Sequence, residues 1–342
     1  MSGKMRLPLN GGNSLMEQRR TSDLYDRKAS RAFYEERYAH DYMASWPDET
    51  KRRVFELICG LGLPETGEAL DFGCGNGILT DVLRQALPPG WKVYGTDISA
   101  TAIENARTRY PSCAFFTSGD GRHAGRRFDF LFTHHVLEHV HDIGEALDEI
   151  DGRMKPTSTM LHILPCGNEG SFERGVCLLR RDGINPELEN RYFFEDEGHL
   201  RRLTTERFGA LCAKYGFALV REYYANQHDG AINWITQRRP DFIRMFTESS
   251  EALDGRARSR LAKLRYALLG LWALRYPVLV VESRVKKEKR TLRDWLLMIA
   301  GAPFYAIAKP VDAYVKRRAL REWELRKAEP NGSEMYLLFK RC

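Results

Sequence analysis

Nine residues, "HHVLEHVHD" (134–142), hold four histidines and two acids. Imidazole and carboxylate groups bind metal ions and move protons near neutral pH. The segment therefore reads in three ways: a metal site, an acid/base centre, or the polar start of a helix. His135, Glu138 and His139 stand at i, i+3 and i+4, which share one face if the segment is helical. A second stretch, "ALDFGCGNGILTDVL" (69–83), carries Gly73, Gly75 and Gly77 at alternate positions after Asp71. Glycines at such spacing let backbone approach a ligand at positive φ without a Cβ clash. A dinucleotide fold needs the third glycine one position later, where Ile78 stands, and a phosphate loop needs Lys-Ser/Thr. Both are excluded.

The elements that must position these residues alternate as in a wound α/β sheet. Strand-type runs are "EALDFGC", "WKVYGTDIS", "CAFFTSGD", "RFDFLFTHH", "STMLHILPC", "FALVREYY" and "SEMYLLFKR", seven in all, with helical stretches after the first, second, fourth and fifth. An open parallel sheet binds ligands at the carboxyl ends of its strands. Asp71, Asp97 and Asp120 all fall there. Asp97, twenty residues after Gly77, is placed to accept two ribose hydroxyls, and Asp120 to reach an adenine amino group.

"LDFGCGNG", "VYGTDIS", "SGDG" and "FDFLFTHHVLEHV" resemble the successive motifs of class I S-adenosylmethionine-dependent methyltransferases. The resemblance covers roughly residues 33–235 and the last strand. It implies a seven-stranded Rossmann-like sheet and S-adenosylmethionine as cofactor. Asp71, Gly73, Gly75 and Gly77 would hold the methionine moiety, Asp97 with its neighbour Ile98 the ribose, and Asp120 with Gly121 the adenine. "RAFYEERYAHDYM" (31–43) resembles the preceding helix, whose Tyr34, Arg37 and Tyr38 would close over the cofactor. Thr133, His134 and His135 would lie at the reaction centre, with His134 or His135 as general base. His199 would line the acceptor site or anchor its loop; Arg201 and Arg202 would hold an anionic substrate or pair with acids. The stretch also resembles quinone-biosynthesis O-methyltransferases, in which a Glu-x-x-Glu-His arrangement can bind a divalent ion. Carried over, the ligands are His135, Glu138 and His139, a set suiting zinc or iron better than magnesium.

Net charge is +7 over 342 residues, and it is unevenly spread. Residues 256–329 carry 19 Lys or Arg against 7 Asp or Glu, a surplus of +12, so the remainder is at −5. Such asymmetry points to a polyanionic partner. Seven dispersed cysteines without a CxxC pair fit a reducing compartment. Residues 1–30 lack an apolar signal core and read as a flexible tail, followed by the core at 31–240, an insertion at 241–330 and the last strand at 331–342. The insertion holds two apolar blocks, 266–281 and 295–308, edged by Lys/Arg clusters. Each is shorter than the ~20 residues of a spanning helix, and Arg275, Pro277 and Pro303 interrupt them. Their Trp272, Trp295, Phe304 and Tyr305 suit a membrane interface; a helical lid or dimer contact and a nucleic-acid surface are the rivals. Aromatics set within aliphatic runs, away from the basic residues, argue against base stacking.

These features lead to a methyltransferase acting at oxygen on a lipophilic or lipid-linked small molecule, cytoplasmic and peripheral at the inner, anionic face of a membrane. The alternatives are an N-, sugar- or natural-product methyltransferase whose insertion is a lid or homodimer element, an RNA methyltransferase, and a non-catalytic cofactor-binding scaffold.

Overall fold

The computed structural model describes residues 27–342 except 41, 44, 124, 286, 288 and 289. It divides into two compact units: residues up to 126 with 141–143, and residues 127–140 with 144–342.

The first unit runs α1 (Arg27–Ala39), α2 (Asp48–Cys59), β1 (Thr66–Phe72), α3 (Ile78–Ala86), β2 (Gly90–Asp97), α4 (Ala100–Arg109) and β3 (Ala114–Thr117). Helix α1 starts at Arg27, inside the expected tail; residues 1–26 of that tail lie outside the described residues. Strands β1, β2 and β3 pair in parallel, with Asp71 opposite Gly95 and Thr96 opposite Phe116. Ala69, Leu70 and Phe72 of β1 are all buried, as befits a strand covered on both faces. Ser99 begins α4 by accepting the Ala102 N–H on its hydroxyl.

The second unit contains β4 (Phe128–His134), α5 (Ile143–Gly152, from its second residue), β5 (Met154–Pro165), α6 (Phe172–Cys177), a two-residue pair β6 (Ile184–Asn185) and β7 (Arg191–Tyr192), α7 (Thr205–Ala213) and β8 (Phe217–Ala225). It continues with α8 (Asp229–Ile235), α9 (Pro240–Phe246), α10 (Gly255–Val285), α11 (Leu292–Arg326) and β9 (Glu334–Arg341). β4 and β5 are parallel, whereas β9 lies antiparallel between β5 and β8. The sheet has seven strands in the order β3-β2-β1-β4-β5-β9-β8. This is the α/β sheet expected from the sequence.

Two expectations are corrected. "HHVLEHVHD" does not open a helix. β4 stops at His134, His135 takes a left-handed φ of 53°, and one turn follows, closed by the His139 N–H on the Val136 carbonyl. The helix begins only at Ile143. Secondly, the insertion is not two interrupted blocks. α10 and α11 are continuous over 31 and 35 residues, with Pro277, Pro303 and Pro310 inside them.

α10 and α11 pack on each other as a hairpin, and their inner ends pack on the rest of the unit. Leu261 and Leu268 join a core with Tyr192, Ile235 and Phe246. Arg275, which seemed to interrupt an apolar run, is fully buried. It donates to Asp312 of α11 at 2.9 Å, and to the Asn233 side chain and the Thr236 hydroxyl at the end of α8. Beyond this pair the hairpin exposes Tyr276, Trp295, Leu296, Ile299, Phe304 and Ile307. By length and composition alone, both helices could cross a membrane.

Candidate functional site

In the first unit the glycine turn is shaped by its neighbours. Gly73, Gly75 and Gly77 have φ of 79°, 52° and 77°, a region that side chains with a Cβ disfavour. A Cβ on Gly75 would stand 2.7 Å from the Tyr38 hydroxyl, and one on Gly77 2.9 Å from the Phe115 ring. The turn is held by the Gly73 and Cys74 N–H groups, which donate to the Thr96 carbonyl at 2.8 and 2.9 Å.

Asp71 is buried and accepts the Thr80 hydroxyl at 2.6 Å. Burial, only partly offset by that bond, pushes its carboxyl up to about 7. Asp97 accepts the Gly75 N–H on one oxygen and the Ser99 N–H on the other, each at 2.9 Å. Burial raises it as well. Each carboxylate oxygen retains a second lone-pair site, so Asp97 can still accept ribose hydroxyls. Ile98 is half-buried, Asp120 is half-buried beyond β3, and Gly121 is exposed at the start of a short 3-10 turn. The ring of His123 in that turn stacks on Phe116 at 4.3 Å, a flat surface that sequence reading missed.

α1 sits over this turn. Tyr38 is the aromatic against Gly75, and its ring meets Tyr42 edge-on at 5.5 Å. Arg37 lies over the rings of Phe33 and Tyr42, and Tyr34 packs against the same two rings. Arg37 is thus seated among the aromatic rings beside the turn. Glu35, which sequence reading missed, accepts the Ala100 and Thr101 N–H groups and the Ser99 hydroxyl, capping α4. No spacing rule links positions 35 and 99.

In the second unit the histidines divide into distinct roles. His135, expected as base and as metal ligand, is committed at both ring nitrogens. Nδ1 bonds Glu138 at 2.7 Å and Nε2 bonds Glu334 of β9 at 3.0 Å. Burial opposes its charge, but Glu138 and Glu334 outweigh it and raise the ring to about 10. With both ring nitrogens on carboxylates, His135 is held toward its charged form in this arrangement. His134 is buried, and burial together with the neighbouring His135 cation lowers it to about 3, too far down for a general base near neutrality. Thr133 bonds Nδ1 of His162 at 2.8 Å; His162, missed in the sequence, stands edge-on to Phe208 and Phe339.

Glu138, His139 and His199 come together instead. His139 Nδ1 bonds the Gly198 carbonyl at 2.8 Å, and His199 Nδ1 bonds Glu195 at 3.1 Å, the two rings meeting edge-on. Against burial, the His135 cation holds Glu138 down to about 2, whereas burial and His199 lower His139 to about 4. The two arginines brace this loop. Arg202 is buried, with Glu195 at 2.7 Å, Glu173 at 3.3 Å and the Cys166 and Ser333 carbonyls at 2.8 Å. Arg201 donates to the Leu137 and Val140 carbonyls, fixing the turn that carries Glu138. Both are internal braces, and neither presents a free guanidinium to a substrate.

Residues 37–222 match the methyltransferase domain family, and the chain belongs to that family as a class I S-adenosylmethionine-dependent methyltransferase. A trans-aconitate 2-methyltransferase of Variovorax paradoxus (strain S110) is 29% identical over 131 residues, 38% of this chain and 50% of that protein. A ubiquinone biosynthesis O-methyltransferase of Rhodopseudomonas palustris (strain BisA53) is 32% identical over 97 residues, 27% of this chain and 37% of that one. The chain thus spans half or less of the length of these relatives. Among solved structures, a magnesium protoporphyrin IX methyltransferase from Synechocystis PCC 6803 with bound SAH aligns with a TM-score of 0.42 at 18% identity, covering 58% of this chain and 92% of that one.

Proposed function

We propose that this protein transfers the methyl group of S-adenosylmethionine to an oxygen of a lipophilic or lipid-linked small molecule at an anionic membrane surface. The glycine turn with Asp97 would hold the donor, and the end of β4 would line the acceptor. Methyl transfer from a sulfonium is an in-line displacement from an activated donor, so alignment and proximity can supply much of the rate. The charge states of the histidines favour an acceptor that ionises readily. Glu138 and Glu334 hold His135 toward its cation and burial holds His134 well below its usual range, which leaves both poor bases near pH 7. A carboxyl or acidic hydroxyl group meets that condition without a base. An O-methyltransferase of ubiquinone biosynthesis among the relatives agrees with transfer to oxygen.

The observation that carries the membrane part is the outer hairpin. Trp295, Leu296, Ile299, Phe304 and Ile307 are 49–76% exposed, beside Arg284, Lys287, Arg290 and Arg293 at its turn. Exposed apolar side chains edged by cations suit a bilayer interface, where each cation near anionic lipid adds on the order of 1 kcal/mol. The protein would then be peripheral at the cytoplasmic face. Labelled-methyl transfer to a membrane extract, with sedimentation on anionic and neutral vesicles, tests the reading. Leu296→Glu/Ile299→Glu should abolish sedimentation while leaving cofactor affinity unchanged. Equal sedimentation of both forms would reject the membrane role. Cofactor binding with no labelled product would favour a non-catalytic scaffold, and labelled RNA an RNA methyltransferase.

A further inference from the structure

We propose that the outer part of the α10–α11 hairpin swings as one piece about a paired-proline hinge, and that anionic lipid releases it by competing for the lysine that latches it. Arg275 of α10 and Asp312 of α11 meet in a buried pair at 2.9 Å. Pro277 stands two residues outward of Arg275, and Pro310 two residues outward of Asp312. Both helices thus carry a proline at the same remove from the pair. Proline lacks the N–H that would bond the carbonyl four residues back, so the Ala273 and Ala306 carbonyls each lose a helical bond there. Sharp bends of helices concentrate at such positions.

The two sides of the hinge are held differently. On the inner side, Arg275 donates to the Asn233 side chain at 2.8 Å and to the Thr236 hydroxyl, at one end of α8. Glu322 of α11 grips the other end, accepting the N–H groups of His228, Asp229 and Gly230 at 2.9, 2.7 and 3.0 Å. Leu261, Leu268, Ala319 and Trp323 are buried around this seat. On the outer side, every residue from Trp295 to Ile307 is at least partly exposed. The outer piece is instead bound to itself. At its tip Asp294 accepts Lys287 at 2.8 Å and the Thr291 N–H at 2.9 Å. Further in, Val281 packs so closely on Gly301 that an added Cβ would stand 3.1 Å away, and Glu282 pairs with Lys309. These bonds make it move as a unit.

The latch is an ion pair that crosses the hinge. Glu282 lies outward of Pro277 and Lys316 inward of Pro310, and the two meet at 3.5 Å. Lys316 also pairs with Asp312 of the seat at 2.7 Å. The side chains of Lys316 and Glu282 are 40% and 32% exposed. Ion pairs this open to water are weak and are screened by salt. A lipid phosphate meeting Lys309 and Lys316 therefore competes with Glu282 on even terms, and a surface crowded with anionic headgroups wins. Once released, the outer piece lays its exposed apolar side chains on the bilayer, while the seat keeps its bonds to α8. The lipid trigger rests on the membrane reading above, whereas the hinge and latch do not.

The test reads distances in the full-length protein by double electron–electron resonance. Spin labels carried on p-acetylphenylalanine leave the native cysteines untouched. One pair, at the exposed positions Ala300 and Arg321, spans the hinge; a second, at Lys263 and Arg321, lies within the seat. In buffer the spanning pair should show one predominant distance. Vesicles of phosphatidylcholine with phosphatidylserine should add a second distance, and phosphatidylcholine vesicles or inorganic phosphate should not. Glu282→Gln should show the second distance in buffer alone. Pro277→Ala/Pro310→Ala should keep the single distance on anionic vesicles with which it still sediments. The seat pair should stay fixed throughout, and S-adenosylmethionine affinity reports that each variant is folded. An unchanged distance in Glu282→Gln, or a second distance persisting in the double proline variant, would overturn the hinge and latch. A second distance raised equally by neutral vesicles or by inorganic phosphate would overturn the lipid trigger. If the wild type does not sediment with anionic vesicles, the membrane reading and the trigger fall together, and Glu282→Gln in buffer still decides the hinge.

Discussion

The glycine turn and the histidine cluster are built on opposite principles. In the first, the important contacts are short-range along the chain or between adjacent strands: Thr80 on Asp71, Gly75 on Asp97, Thr96 on Gly73. In the second, the near bonds of His135 to Glu138 and of His199 to Glu195 are joined by others brought from far away. His139 depends on Gly198, 59 positions on, and His135 on Glu334, 199 positions on. The turn is a property of local backbone, the cluster a property of the finished fold. Substitutions should therefore damage the turn mainly through backbone strain and the cluster mainly through stranded charge.

The largest effect is expected at the cluster's support. Arg202→Met leaves Glu173 and Glu195 buried without their shared cation, which should cost about 3–5 kcal/mol of stability in denaturant unfolding. A loss below about 1 kcal/mol would mean that the network is not load-sharing, and the contrast would fail. Next is Gly77→Ala, where a left-handed backbone and the Phe115 ring at 2.9 Å meet the new methyl. A destabilisation of about 2–4 kcal/mol is expected by the same measurement. Asp97→Ala should weaken S-adenosylmethionine by about 1.5–3 kcal/mol through lost charge-assisted bonds. An unchanged Kd by calorimetry would remove Asp97 from the cofactor site.

The last readout is a slope against pH. Asp71 rises from 3.8 to about 7 in the fold, so between those values the native state holds a proton that the unfolded chain has released. Stability of the cofactor-free protein should fall as pH rises through that window, by at most roughly 1.4 kcal/mol per unit. Asp71→Asn should flatten this limb in thermal melts at pH 4–7. A limb that keeps its steepness would assign the effect to other groups.

What could be read in advance follows the same division. Asp71, the three glycines and Asp97 were legible because strand, turn and helix signals adjoin them. The histidine stretch revealed its chemistry but not its shape. Its i, i+3 pairing of His135 with Glu138 survives in a turn, because the left-handed His135 ends the strand without starting a helix. Glu195 and Glu334 gave no signal, since an acid becomes informative only when folding brings it to a histidine. Tyr38 was found by resemblance, whereas Glu35, three positions before it, was missed although it caps α4. The hairpin misled through Pro277 and Pro303. Prolines are poor helix formers, yet tertiary packing carries both helices through them.

β9 has one more consequence. It enters the sheet between β5 and β8, after a detour of more than a hundred residues from the end of β8. Until it arrives, those two strands present open edges that invite pairing with other chains. Glu334, at its first position, also completes the charge around His135. Synthesis from the N-terminus would thus leave the His135 charge network incomplete until its last strand emerges, and a nascent chain stalled short of β9 would be both sticky and electrostatically unfinished.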